Sequence, residues 1–282
     1  MVRKTFVFFI VCLFLISSAC CYYYVRWRHL WSICKQESIY SIRKCNDDTL
    51  RILMIGDSWA GIHSEMHLDS FLSSEIKKDY LRPVSVISIG KGGEKSGGIY
   101  QTMFKTDDYG IKPLFLAGAD YCVVFAGIND AAANLGTKQF CAHYRMIIEF
   151  LLANDICPVI IEIPDVDLWN IYGEKPLKDL LIDYLRSKMT GCKMYCFREY
   201  RDALKTMLIK EGMMDSVVYV PMTSWSENGE RISQNLFMTD RVHLNLRGYE
   251  RLDVCIAKAI VCDLDQSENS AFVNKPMNED AE

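Results

Sequence analysis

Short runs of mostly apolar residues recur along this chain, each followed by a stretch with helical spacing, and that alternation decides its fold class. Residues 51–55, 84–89, 121–126 and 158–163 are the clear runs, with weaker ones at 193–197 and 217–220. Around them, residues 62–76, a short stretch from 96, 137–153, 177–188, 203–209 and 246–261 carry apolar residues at helical spacing. Strands that alternate with helices build a parallel sheet covered on both faces. The runs are apolar throughout rather than at every second position, as a sheet buried on both faces requires. The expectation is one three-layer α/β domain over residues 50–262, with no internal repeat. A chain of 282 residues is long enough for one such domain and a full core.

The N-terminus stands apart. Residues 6–25 are apolar apart from Ser17 and Ser18, and a run of about 20 such residues can span a bilayer as a helix. Arg3 and Lys4 precede it and Arg26 and Arg28 follow it, so the positive-inside rule orients it only weakly. An uncleaved signal anchor, a cleaved signal peptide and a lipoprotein signal ending at Cys20 are three readings of residues 1–25. The anchor fits best, because Tyr22-Tyr23-Tyr24 carries the apolar run past the small residues. All three place the domain outside the cytoplasm, in a periplasm or at a cell surface, on or near a membrane. Residues 26–49 read as a basic, aromatic connector. Residues 263–282 turn polar and acidic and read as a disordered tail.

The formal charge of −4 carries no electrostatic footprint for nucleic acid, so none is expected as a partner. Among the twelve cysteines, Cys34 with Cys45 and Cys192 with Cys196 are close enough in sequence for local disulfides. No cysteine or histidine spacing matches a zinc site, and neither a metal nor another cofactor is expected.

In an open α/β sheet, ligands bind at the carboxyl ends of the strands. The first strand is followed by Gly56-Asp57-Ser58-Trp59, the second by Gly90-Lys91-Gly92-Gly93-Glu94 and the third by Gly127-Ile128-Asn129-Asp130. Asp240-Arg241-Val242-His243 precedes the last helix. A serine hydroxyl becomes a nucleophile when a base takes its proton, and a carboxylate fixes the tautomer of a histidine base. In a loop entering a helix, a three-residue spacing can set Asp240 against the Nδ1 of His243, with the other ring nitrogen facing a serine. A developing oxyanion needs donors, which a backbone N–H in the glycine turn and the Asn129 amide can supply.

These four blocks, in this order, resemble those of the SGNH (GDSL-like) hydrolases over roughly residues 50–262. The resemblance implies a flavodoxin-like three-layer fold without a metal. It implies Ser58 as nucleophile, His243 as base and Asp240 as its orienter. It also implies an oxyanion hole made by the Ser58 N–H, the Gly93 N–H and the Asn129 side chain, with Gly90 and Gly92 as alternatives in the same turn. Trp59, Asp130 and Trp225 are expected near the substrate. The expected reaction is hydrolysis of O-acetyl or other short acyl esters, on a small molecule or on envelope or dietary carbohydrate. O-acyl transfer to a polysaccharide by the same site is the close rival, and a catalytically silent, membrane-tethered binding protein is the reading of another class.

Other patterns are set aside. Gly90 to Ser96 lacks the glycine before Lys-Ser that a phosphate loop needs. His63 and His67 are not in an H-E-x-x-H arrangement and read as a polar helix face, with His63 near the pocket mouth. Ser58 lies outside a G-x-S-x-G elbow, since Ala60 holds the second glycine position. Trp169 and Trp225 fall in expected loops, as core staples or, alternatively, as a wall on which a sugar stacks.

Overall fold

The computed structural model describes residues 2–273, apart from 46, 108, 167, 223–224, 228–230 and 233–234. Five parallel strands, β1 (Leu50–Gly56), β2 (Val84–Gly90), β3 (Tyr121–Phe125), β4 (Cys157–Ile161) and β5 (Val218–Val220), form a sheet ordered β2-β1-β3-β4-β5. Helix α1 (Val2–Trp31) precedes the sheet. Helices α2 (Ser58–Glu65) and α3 (Asp69–Ile76) follow β1, and α4 (Ser96–Thr102) and α5 (Lys112–Leu116) follow β2. Next come α6 (Ile128–Ala132) and α7 (Thr137–Leu152) after β3, and α8 (Leu168–Tyr172), α9 (Leu177–Thr190) and α10 (Phe197–Lys210) after β4. Helix α11 (Leu246–Val273) closes the order. Helices α2, α3 and α11 cover one face of the sheet, and α4, α7 and α10 cover the other. This is the three-layer α/β fold expected.

The apolar strands explain the layering. Every residue of β3 is buried, as are five in succession at the end of β1. The chain steps from β1 outward to β2 and then back across to β3, so the loops leaving β1 and β3 diverge and leave a crevice at the carboxyl edge.

Four expectations need correction. The helix expected over 62–76 begins earlier, at Ser58, and is broken into α2 and α3 at His67, which has φ +55°. The weak strand expected at 193–197 is a turn, because the Tyr195 N–H donates to Asn134 Oδ1 (3.1 Å) and the residue takes φ +56°. Helix α11 continues to Val273, through the start of the acidic segment, where Tyr121 Oη donates to Asp263 (2.7 Å). Residues 274–282 lie outside the described part. All twelve cysteines are free thiols, so neither local pair is bridged.

The connector is bound to the domain as a strap. Gln139 Nε2 donates to Ser32 O (2.9 Å), and the Cys34 N–H donates to His143 Nε2 (2.9 Å). The Glu37 N–H donates to Tyr100 Oη (2.9 Å), Tyr40 Oη donates to Met103 O (2.7 Å), and the Ile42 N–H donates to Asn154 Oδ1 (2.9 Å). The Tyr40 ring packs on Phe104 and Phe150 under the Lys112 ammonium. Gln139 stands in the first turn of α7 and Asn154 just past its last, so the strap runs the length of α7. Since α7 leaves β3 at the carboxyl edge, the strap starts at that edge and ends at the opposite one.

Candidate active site

The turn after β1 carries Ser58 into the first turn of α2. Its cap is Asp57, whose Oδ1 accepts the Trp59 N–H (3.0 Å). The turn after β2 is pressed against the same helix. A Cβ on Gly90 would lie 2.2 Å from the Asp57 carbonyl oxygen, so only glycine permits that approach. The Lys91 N–H donates to Gly56 O (3.1 Å), and the Glu94 N–H closes the turn on Lys91 O (3.1 Å). Gly93 sits between them at φ +74°, a conformation that suits glycine.

The segment before α11 folds back on itself through a bridge between Phe237 and Leu244, both buried. Asp240 Oδ1 accepts the N–H groups of Val242 and His243 (both 2.9 Å), and Arg241 takes φ +59°. That turn aims Asp240 Oδ2 at His243 Nδ1 (2.6 Å). His243 Nε2 lies 2.8 Å from Ser58 Oγ. With Nδ1 protonated toward Asp240, Nε2 is free to accept the serine proton. The Asp240 carboxyl is held below its ordinary range: burial opposes this, and the His243 ring and the two backbone donors outweigh it. Ser58, His243 and Asp240 are thus in one hydrogen-bonded line.

Asn129 reaches the same place from the loop after β3. Its Nδ2 donates to Asp57 Oδ2 (3.0 Å), which fixes the amide and leaves its second N–H proton uncommitted by that bond. Burial pushes the Asp57 carboxyl up to about 7, against the pull of its two donors. Trp59 is buried against Phe125, Phe237 and Tyr249. It lines a small cavity with Asp57, Phe125, Ile128 and Ile163, and its buried Nε1 has no hydrogen-bond partner among the described residues.

Two expected substrate-side residues lie elsewhere. Asp130 is fully buried and accepts from the Ser96 N–H (3.0 Å) and Ser96 Oγ (2.6 Å). It therefore ties the start of α4, just after the glycine turn, to the loop after β3. Trp225 is buried with the Arg251 guanidinium over its ring (4.7 Å), which makes it a staple onto α11 rather than a wall of the site.

Helix spacing alone did not reveal the role of His63. It is fully buried, away from any pocket mouth. Its Nε2 meets both carboxylate oxygens of Asp253 on α11 (3.0 and 3.1 Å), and its Nδ1 meets Asp69 and Ser88 Oγ (both 3.2 Å). Although burial opposes the charge, these two carboxylates raise the imidazolium to about 9. Asp253 is itself pushed up by burial and Asp69 is pulled down. Carboxylates at both ring nitrogens favour the doubly protonated ring, so we read this group as an ion cluster. With Tyr249 Oη donating to Trp59 O (3.1 Å), it fastens α11, which follows His243, to α2, which begins at Ser58.

The cluster has a pH signature. The folded value of His63 stands above the ordinary 6.5, so its contribution is full below that pH and is lost as pH rises through about 9. Melting temperature should fall between neutral pH and pH above that range. His63→Gln should melt lower and lose this part of the slope, and an equal slope in both proteins would remove His63 as its source.

A model of the GDSL-like lipase/acylhydrolase family matches residues 54–251. A search of curated protein sequences found no match. Among solved structures, a lipase/acylhydrolase from Enterococcus faecalis superposes with a TM-score of 0.52 at 16% identity, covering 76% of this chain and 96% of that one. A putative acylhydrolase from Bacteroides fragilis gives 0.53 at 18% identity, covering 80% and 92%. An acetyl xylan esterase from Geobacillus stearothermophilus gives 0.51 at 14% identity, covering 75% and 94%. At these identities the structures speak for the fold.

Proposed function

The chain belongs to the GDSL-like lipase/acylhydrolase family of ester-hydrolysing enzymes, and from that premise we propose that it is a membrane-anchored serine esterase with Ser58 as nucleophile, His243 as base and Asp240 as its orienter. The observation that carries the reading is the unbroken line from Ser58 Oγ to His243 Nε2 (2.8 Å) and from His243 Nδ1 to Asp240 (2.6 Å). Ser58 Oγ attacks the acyl carbonyl carbon while His243 Nε2 takes the hydroxyl proton. The Asn129 amide and the N–H groups of Ser58 and Gly93 receive the oxyanion. His243 returns the proton to the leaving alcohol as its C–O bond breaks. Water then attacks the acyl-enzyme, His243 accepts its proton, and the carboxylic acid leaves as Ser58 is restored.

We take a short acyl group, acetyl being the simplest, as the group transferred to Ser58. The acetyl xylan esterase among the structural neighbours makes an acetylated glycan a reasonable first substrate to try. For the anchor, Lys4–Val25 has a mean hydropathy of 2.3. Those 22 residues reach about 33 Å as a helix, enough for a bilayer core of about 30 Å.

A fluorophosphonate probe tests the chemistry. It should label the protein once, and peptide mapping should place the adduct on Ser58. Labelling that persists in His243→Ala at the unmutated rate, or an adduct on another serine, would remove the triad.

A further inference from the structure

Helix α9 is built inside out. Its buried side carries Asp183 and Ser187, and Asp183 is satisfied by Lys175 (2.7 Å), Arg186 (3.2 Å) and Tyr195 Oη (2.5 Å). Its outward side carries Leu177, Leu181, Tyr184, Leu185 and Met189, with Leu177 83%, Leu181 55% and Leu185 50% exposed. These recur at helical spacing and form one stripe. Trp169 on α8, 51% exposed, stands on Tyr195 beside it (5.1 Å between ring centres). Lys178 and Lys188 are also exposed on this helix. An apolar helix face with lysines and a neighbouring tryptophan is the composition of a helix that lies in a lipid headgroup layer.

The course of the chain says which surface is within reach. Thr190, at the end of α9, lies against Gly136, and Cys192 Sγ is 3.9 Å from Thr137 Oγ1. Two residues further along α7, Gln139 holds Ser32, where the strap begins. Only residues 26–31 separate that point from Val25, the last residue of the apolar span. They continue α1, and six helical residues advance about 9 Å. The bilayer, the end of α9 and the carboxyl edge of the sheet are thereby brought to one side of the molecule. Asn134 adds a second link, since it lies just past α6, whose first turn bears Asn129, and accepts the Tyr195 N–H.

We propose that the outward face of α9, with Trp169, rests on the bilayer that α1 spans, and that the substrate is a short acyl ester carried at the headgroup level by a membrane-held molecule. This deepens the esterase reading above and rests on its retained anchor. The strap fixes the orientation, since it grips the domain at the catalytic edge first.

The test uses the full chain reconstituted in vesicles of phosphatidylcholine and phosphatidylglycerol. Acetate release is measured from 1,2-dioleoyl-3-acetylglycerol in those vesicles and from soluble p-nitrophenyl acetate. The double variant Leu181→Glu/Leu185→Glu should lower release from the lipid about tenfold, since two leucines lose their apolar contact. It should leave the soluble ester unaffected. In the unmutated chain, a diazirine-bearing phosphatidylcholine should crosslink to the peptide 177–189 as well as to α1. Lipid hydrolysis unchanged in the double variant overturns the proposal. So does labelling of α1 without labelling of 177–189, which does not depend on how any variant folds. A change from dimer to monomer in the double variant, with lipid hydrolysis retained, would assign the face to a second copy instead. Loss of p-nitrophenyl acetate hydrolysis by the unmutated chain would strike the esterase reading itself.

Discussion

Ser58→Ala should lower kcat for p-nitrophenyl acetate by about 10⁴–10⁶ while leaving the fold in place. The size follows from the reaction, because without the hydroxyl no acyl-enzyme forms. What remains is the help that the oxyanion donors and binding give to water. The intact fold follows from the cap. Helix α2 is capped by Asp57, and its Oδ1 bond to the Trp59 N–H does not involve the serine side chain. Alanine is a good residue for a helix start. The measurement pairs kcat with a thermal melt on one preparation. A folded Ser58→Ala protein that keeps its turnover would end the proposed mechanism.

Asn129→Ala should lower kcat by about 10²–10³, roughly 3–4 kcal/mol, with a much smaller change in KM. The donor matters most where the carbonyl oxygen carries full charge, and interactions made mainly in the transition state appear in kcat. The structure adds a second expected effect. The amide also satisfies Asp57 Oδ2, so its loss leaves a buried carboxyl with one donor fewer. Stability should therefore fall as well, by about 1–3 kcal/mol. Asn129→Asp cannot donate when ionised and would set a carboxylate against Asp57, so it should be at least as impaired. An unchanged kcat with a depressed melt would leave Asn129 with the structural role alone.

The sheet and the loops at its edge were legible because two periodicities and the turn residues all agree. Runs such as 121–126 have no polar face to mislead, and Gly56, Gly90 and Gly127 stand where strands end. What escaped was whatever depends on which side of an element packs. The pattern of α9 reports an apolar stripe correctly, and the usual inference turns it inward. The inward side is instead filled by Asp183, whose partners Lys175 and Tyr195 flank the helix. His63 reads as surface for the same reason, since Asp253, 190 residues away, cannot be paired with it from spacing. Asp130 closes the block after the third strand and so looks like part of the site, yet its bonds go to Ser96. The strap is extended and aperiodic, so no pattern marks it.

That strap imposes an order on the birth of the protein. It is made well before its partners, because Tyr100, Met103, His143 and Asn154 lie 63 to 112 residues downstream. At synthesis rates of about 5–20 residues per second, it waits on the order of ten seconds for α7 to exist. Throughout that interval Tyr40 and Ile42 have nothing to pack on. The earliest residues of the domain are therefore among the last to find their places. Slowing translation between residues 100 and 154 should lengthen the time over which a protease can cut within 32–45.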